Sequence, residues 1–384
     1  MNHFPIYLDS ASMSKTLPVA REAFLNAPFG NPSSEHAIGQ NARNALEQAR
    51  EKIAACIGAT PEQIIFTSGS TEACNIAINS MPAAFRRCSP YEHHAVLDGG
   101  DFFSKMDVSA DLASVADEAA TITRFQYEAS QYLRNSLTVL RDLRMVAMAQ
   151  MLANNETGEI YTLPKKQNLG DIPDLVFSDL TAACGHIPLS VSALDIDFGA
   201  FGSHKFGGVP GAGVLYAKDP SILSPLIRGG GQERGMRSGT ENVPAICAMA
   251  AALEWQTEHM AENTAKLSKL SEIMQTELSK IDGILWNTPL DKPRLPHILN
   301  ASFPGVNARA LALLLSKEGV MVSPGAACSN GKSEPSHVIM SMFHDEARAR
   351  SAIRISFSHE NTEIEVSEAA EKIKNAVAYL RSIG

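Results

Sequence analysis

The chain has 384 residues, 45% of them hydrophobic and 20% charged, with a formal net charge of −9. A single core stops growing near about 250–300 residues, so one large and one smaller domain are expected. The acidic balance argues against direct nucleic-acid binding, no stretch has the ~18 uninterrupted apolar residues of a membrane span, and the start MNHFPIYLDS lacks the basic and apolar regions of a secretion signal.

A cytoplasmic protein that handles small molecules is therefore the expectation. The six cysteines, at 56, 74, 88, 184, 247 and 328, occur singly, with no C-x-x-C pair and no zinc-ligand spacing. Reduced thiols, no disulfide and no structural metal follow from that pattern.

In chain order, IGQNARNALEQAREKIAACI (38–57) places apolar and small residues at helical spacing, with Cys56 as a small hydrophobe on that helix and Gly58 as its stop. Next come QIIFT, a β-branched run, SGST, a tight loop, and EACNIAINSM, a second helix. The strand-then-loop signal returns in RMVAMAQML before ANNETG, in DLVFSDL before TAACG, and in IDFGAFGS before HKFGG, with AGVLYAK following. Strands separated by helical or long connections predict an α/β domain around a mostly parallel sheet, with ligands at the strand ends. Residues 98–142 are helical in composition, have no clear turn signals and receive no function. Beyond about residue 255 the long amphipathic runs NTAKLSKLSEIMQTELSKI and ARALALLLSKEG alternate with strand-like HILNASF and SAIRISF. These predict an α+β domain whose sheet is covered by the last helix, EVSEAAEKIKNAVAYLRSI.

Several residues on this frame could carry chemistry. Lys205, after an apolar strand and beside glycines, could form a Schiff base or be an ordinary surface lysine. Asp179 ends a buried strand, where it either caps the next segment or faces the ring nitrogen of a pyridine cofactor. Together the two suggest pyridoxal phosphate. TSGSTEACN then offers Ser70, Thr71 and a helix start to a phosphate, although helix capping explains the same residues. The loop RGGGQERGMRSGTEN (228–242) combines a glycine run with three arginines and suits an anion, a subunit contact or plain solvent. His93 is either a surface histidine or a ring-stacking proton relay. Arg354 interrupts an apolar strand, so it must be paired structurally or grip a substrate carboxylate. Cys328, in SPGAACSN, sits among small residues that restrain it little, which suits a travelling nucleophile or an inert bend.

Taken in order, YLD, FGNPSSEHAIGQNAR, FTSGSTEACN, EHHAV, NNETG, SHKFGG, ERGMRSGT and GAACS followed by EPSHV resemble the cysteine desulfurases. These are pyridoxal 5'-phosphate enzymes of aminotransferase class V with the aminotransferase type I fold, and the segment around Cys328 is similar to that of the NifS and IscS group. The resemblance implies a large cofactor domain over 15–255 and a small domain made of 1–14 and 256–384. It implies conversion of L-cysteine to alanine, with the sulfur captured as a Cys328 persulfide and passed to an acceptor protein. That acceptor would be an iron–sulfur scaffold, a tRNA-thiolating enzyme or a DNA-sulfur-modifying system. By the same match Lys205 is the Schiff-base lysine, His93 stacks on the ring, Asp179 faces the ring nitrogen, and Ser70, Thr71 and His204 contact cofactor and phosphate. Thr240 matches a threonine given to the neighbouring subunit of a homodimer, and Asn155 and Arg354 match residues that orient cofactor and substrate.

Four departures accompany the match. Ala182 stands where the family usually has a glutamine near the ring hydroxyl. The family's SGHK reads GSHK, so its phosphate serine falls on Gly202 and the hydroxyl moves to Ser203, which is taken as the replacement contact. AATTP becomes ASMSK, and the segment after His93 diverges. The alternatives are a selenocysteine lyase, another class V aminotransferase, or a cofactor-binding regulatory or scaffold subunit without turnover.

Overall fold

The computed structural model describes residues 5–81, 85–99, 103–105, 146–163, 175–325 and 334–383. Helix Ala37–Ile57 buries Ala42, Leu46, Ala49, Ile53 and Ile57 on one face, the stripe that the sequence spacing predicts. Gly58 ends it in the left-handed region at φ 66°, where a β-carbon would be strained. The buried face packs on helix Val243–Glu258. Both helices cover one side of the main sheet.

The first strand, β1 (Ile6–Tyr7), stands apart from that sheet. The main sheet is built from β2 (Ile64–Thr67), β3 (Phe85–Cys88), β4 (Phe103–Lys105), β5 (Val146–Ala149), β6 (Leu175–Asp179), β7 (Phe198–Gly202) and β8 (Gly213–Ala217). Their spatial order is β2-β8-β7-β6-β5-β3-β4. From β7 to β4 every pairing is parallel, as expected, whereas β8 runs antiparallel to both β7 and β2. The reason lies in the connection. A parallel return needs a crossover of about a dozen residues or more, and residues 203–212 are too few. Strands β2, β6, β7 and β8 are buried at every position, so both sheet faces are covered. Phe177, Phe198, Phe201 and Phe206 are fully buried, each contributing roughly 2–3 kcal/mol by removal from water.

A second, antiparallel sheet has the order β12-β13-β10-β9 and comprises β9 (Leu285–Trp286), β10 (Ile298–Ser302), β12 (Ser323–Pro324) and β13 (Ala352–Ser356). Its core joins Leu299 and Ile355 to Leu270 and Met274 of helix Met260–Leu278 and to Ala369 and Ile373 of helix Glu363–Ile383. Ile6 and Leu8 belong to the same core. Strand β1 pairs in parallel with β11 (Val320–Met321), and Asp9 bridges to Ser356. The two ends of the chain thus meet beside the main sheet.

Candidate active site

A cavity of about 260 Å³ opens at the ends of β6 and β7, between the main sheet and the C-terminal elements. Strand β6 stops at Asp179, which is 6% exposed, and β7 runs into the turn that carries His204 and Lys205. Helix Ser70–Ser80 starts at the cavity wall, with Ser70 and Thr71 in its first turn. His93, Asn155 and Arg354 complete the set of expected residues that line the space.

Lys205 is held at both ends by the N-terminal segment. Its Nζ donates to the carbonyls of Ala11 and Ser12 at 2.8 and 2.9 Å, while Ser14 Oγ donates to its backbone carbonyl at 2.6 Å. Asp179 Oδ1 accepts from the Thr181 N–H at 2.9 Å, so the capping role is present beside the cavity position. Arg354 likewise satisfies both readings of its sequence. It forms a 2.9 Å ion pair with Asp9, donates from Nη1 to the Asn155 carbonyl at 2.9 Å, and lines the cavity. Its buried Nε has no hydrogen-bond partner among the described residues.

The electrostatics separate neutral from charged groups. His93 Nδ1 accepts from the Ala95 N–H at 3.1 Å, so the neutral ring carries its proton on Nε2. Burial pushes the His93 pKa down, against the pull of the Asp179 carboxylate. Burial and then the Lys205 charge lower His204 to about 4, which leaves it a neutral hydrogen-bonding group at pH 7. Glu156, which also lines the cavity, is pushed up by burial to about 7.

One expected contact is placed elsewhere. Ser203 is fully buried and does not line the cavity; its hydroxyl faces Gly208 and has no partner among the described residues. Ser203 opens the 3-10 turn Ser203–Lys205 just past the end of β7, and there its side chain points to Gly208 instead of the cavity. The expected Ser203 contact is therefore corrected to a buried hydroxyl behind the wall. Thr240, expected to serve a neighbouring subunit, is exposed and does not line this chain's cavity. Its loop is anchored from within, because Glu233 receives Arg50 at 2.8 Å and the Phe66 N–H at 2.8 Å, while Arg237 pairs with Glu72. Cys328 lies outside the described residues, although Gly325, three positions earlier, lines the cavity.

The residues present fit a phosphorylated pyridine aldehyde. A β-carbon on Gly202 would lie 3.3 Å from the Ser70 backbone nitrogen and 3.3 Å from its hydroxyl, and one on Gly213 would clash with Gly69 at 2.6 Å. The absence of a side chain at Gly213 thus leaves the helix start open, where amide N–H groups and the helix dipole favour an anion. A carboxylate to accept from a protonated ring nitrogen, a lysine amine for the aldehyde and this cradle of N–H donors for the phosphate are the complementary partners. Ala182 lines the same space and offers only a methyl group.

Sequence reasoning missed several lining residues, including Ser12, His94, Met151, Glu156 and His337. His94, Glu156 and His337 sit inside the motifs EHHAV, NNETG and EPSHV, yet nothing local marks them as facing one space. Asp9, the ion partner of Arg354, lies 345 positions away from it. Among the described residues no group of three or more metal-ligating side chains could hold an ion, and no helix is long and apolar enough to cross a membrane.

Comparison with known proteins extends this geometry. Residues 6–368 match the family described as aminotransferase class V. An IscS-like cysteine desulfurase of Mycobacterium tuberculosis is 35% identical over 98% of this chain and 97% of its own length. A putative cysteine desulfurase IscS 1 of Bacillus subtilis is 36% identical, covering 98% of this chain and 99% of its own. A solved NifS-like protein superposes with a TM-score of 0.83 at 30% identity, covering 98% of this chain and 100% of that one. The chain belongs to the class V aminotransferase family and has the fold of its NifS-like members.

Proposed function

We propose that this protein is a cysteine desulfurase that binds pyridoxal 5'-phosphate, converts L-cysteine to alanine and retains the sulfur as a persulfide on Cys328. The observation that carries the reading is the convergence of Lys205, Asp179, His93 and Arg354 on one cavity from distant parts of the chain. Relatives named as cysteine desulfurases match this chain over nearly its whole length, which supports the reading.

Bound pyridoxal phosphate supplies an aldehyde for amine capture and a ring that stores electrons released at the substrate α-carbon. Asp179 keeps the ring nitrogen protonated, and His93 covers the ring face. Ser70, Thr71 and His204 hold the phosphate end. Lys205 would hold the aldehyde end of the group; its Nζ has a resting place between the Ala11 and Ser12 carbonyls, from which it would move the α-proton. Arg354 takes the substrate carboxylate with the guanidinium hydrogens that Asp9 and Asn155 leave over. Asn155 orients cofactor and substrate beside it.

The sulfur leaves by contact with an acceptor protein, of the iron–sulfur scaffold, tRNA-thiolating or DNA-sulfur-modifying kind. The working unit is a cytoplasmic homodimer in which the anchored loop presents Thr240 to the partner's phosphate site. Purified protein with cofactor should form alanine from L-cysteine, and Lys205→Ala should abolish it. Preferential turnover of selenocysteine, or amino transfer to a keto acid without alanine release, would favour the alternative enzymes. Cofactor binding with no turnover would favour a regulatory subunit.

A further inference from the structure

The turn that carries Lys205 is gripped from a side to which the reading above gives no task. The chain at Gly185 runs close against it: a β-carbon built on that glycine would lie 2.7 Å from Phe206 Cβ, and the residue takes φ 77° to pass. Next in the chain stands half-buried His186, whose Nε2 lies 3.0 Å from the Lys205 carbonyl oxygen. A carbonyl only accepts, so Nε2 carries the hydrogen. Ser14 Oγ donates to the same oxygen at 2.6 Å.

The His186 ring is aimed by a second imidazole. His297 stacks on it, with ring centroids 4.0 Å apart and planes 27° from parallel. His297 is 3% exposed, its Nδ1 has no hydrogen-bond partner among the described residues, and it immediately precedes β10. Its carbonyl accepts from the N–H of Phe357 at 2.9 Å, one residue beyond β13, the strand that carries Arg354. Strands β10 and β13 pair with Asn300 opposite Arg354. The two rings therefore join the lysine turn to the strand pair that carries the arginine. Burial lowers the pKa of both histidines, reinforced at His297 by His186 and the Arg354 charge, so the rings are neutral at pH 7 and stack without charge repulsion.

We infer that His186 is a positioning residue: stacked on His297, its N–H fixes the Lys205 carbonyl and so sets the lysine turn against the strand that carries Arg354. The inference rests on the reading of Lys205 as the residue that captures the aldehyde and moves the α-proton. Its physical content is alignment. A lysine amine sits on a long flexible stem, so its placement depends on what holds the backbone and the resting amine. Ala11, Ser12 and Ser14 hold Lys205 from one side, and His186 holds it from the other. Without the His186 N–H the peptide is free to tilt, and a misplacement of about 1 Å at a reacting group can cost on the order of 100-fold in rate. The grip of Arg354 on a carboxylate is made from another strand and is left in place.

The test uses His186→Gln, His186→Asn, His186→Phe and Lys205→Ala. The glutamine amide nitrogen is as many bonds from the β-carbon as the imidazole Nε2 and reaches the carbonyl, the asparagine nitrogen is one bond short, and phenylalanine keeps a ring on His297 without a donor. The holoenzymes are assayed for alanine formation from L-cysteine. The cofactor-free proteins are mixed with pyridoxal phosphate, quenched with borohydride at intervals, and the label on the Lys205 peptide is followed by mass analysis. His186→Asn and His186→Phe should lower kcat roughly 5–20-fold and slow capture at Lys205 roughly 3–10-fold, with KM unchanged within about 2-fold. His186→Gln should stay within about 3-fold of wild type in both readouts. Because Gln and Asn differ only in reach, their contrast decides the matter even where His186→Phe fails to fold. Wild-type kcat and capture in His186→Asn, equal damage by Gln and Asn, or a loss confined to KM would overturn the inference. Label on a different lysine of the wild-type protein, with undiminished alanine formation by Lys205→Ala, would instead remove the reading of Lys205 itself, and the role of His186 with it.

Discussion

Replacing Glu92 by glutamine should flatten the dependence of stability on pH. Glu92 is wholly buried next to His93; its Oε1 accepts from the Met151 N–H at 2.7 Å, and its Oε2 has no partner among the described residues. Burial, opposed by the Met151 hydrogen bond and reinforced by the Asp179 charge, lifts its pKa from 4.5 to about 8. Between those values the folded chain keeps a proton that the unfolded chain has lost. The contribution of Glu92 is therefore fully present below about pH 4.5 and lost as pH rises through 8. At about 1.4 kcal/mol per unit the whole span is on the order of 5 kcal/mol, of which roughly 3 is already lost at pH 7. Glutamine preserves the acceptor for Met151 and cannot ionise, so this loss disappears. Urea unfolding of the cofactor-free protein at pH 5, 7 and 9 measures the effect. Wild type should weaken steadily across the series and the variant much less, with a residual slope of the same sign from Glu156, whose pKa is about 7. Parallel pH profiles for the two proteins would refute the assignment of Glu92 as a buried, proton-holding acid.

Arg354→Lys keeps the charge but loses the fork that spans Asp9 and the Asn155 carbonyl and that the proposed function aims at the substrate carboxylate. KM for L-cysteine should rise about 10–100-fold while cofactor stays bound; an unchanged KM would move the carboxylate site elsewhere. Gly202→Ser places a hydroxyl beside the Ser70 amide, in a space whose nearest atoms lie 3.3 Å from the new β-carbon. One added hydrogen bond of about 1 kcal/mol should slow cofactor loss roughly 5-fold in a dialysis assay. Faster loss would mean that the cradle does not hold the phosphate.

Much of the frame was legible because it depends on local patterning. Helix Ala37–Ile57 and its stop at Gly58, strands β2 and β5 to β8, and the helices beyond 260 follow from periodicity and turn residues, whereas β3 and β4 were not read, β4 falling in a stretch of helical composition. The antiparallel course of β8 was not read, because strand direction depends on connection length rather than on the strand's own residues. The site was legible where chemistry is concentrated in a motif, as at Lys205 and Asp179. It was obscure where the partner is remote in sequence, as for Asp9 with Arg354 or Glu156 with Ser336. Ser203 shows a third limit: one position past its expected place, the serine enters a 3-10 turn and its hydroxyl points to Gly208 instead of the cavity.

The most direct measurement follows sulfur from isotopically labelled L-cysteine through one turnover of the purified holoenzyme. The account predicts labelled persulfide on position 328, alanine in equal amount, and neither label capture nor sulfur delivery to an acceptor in Cys328→Ser. Label found on another cysteine, or undiminished sulfur delivery by that variant, would contradict it.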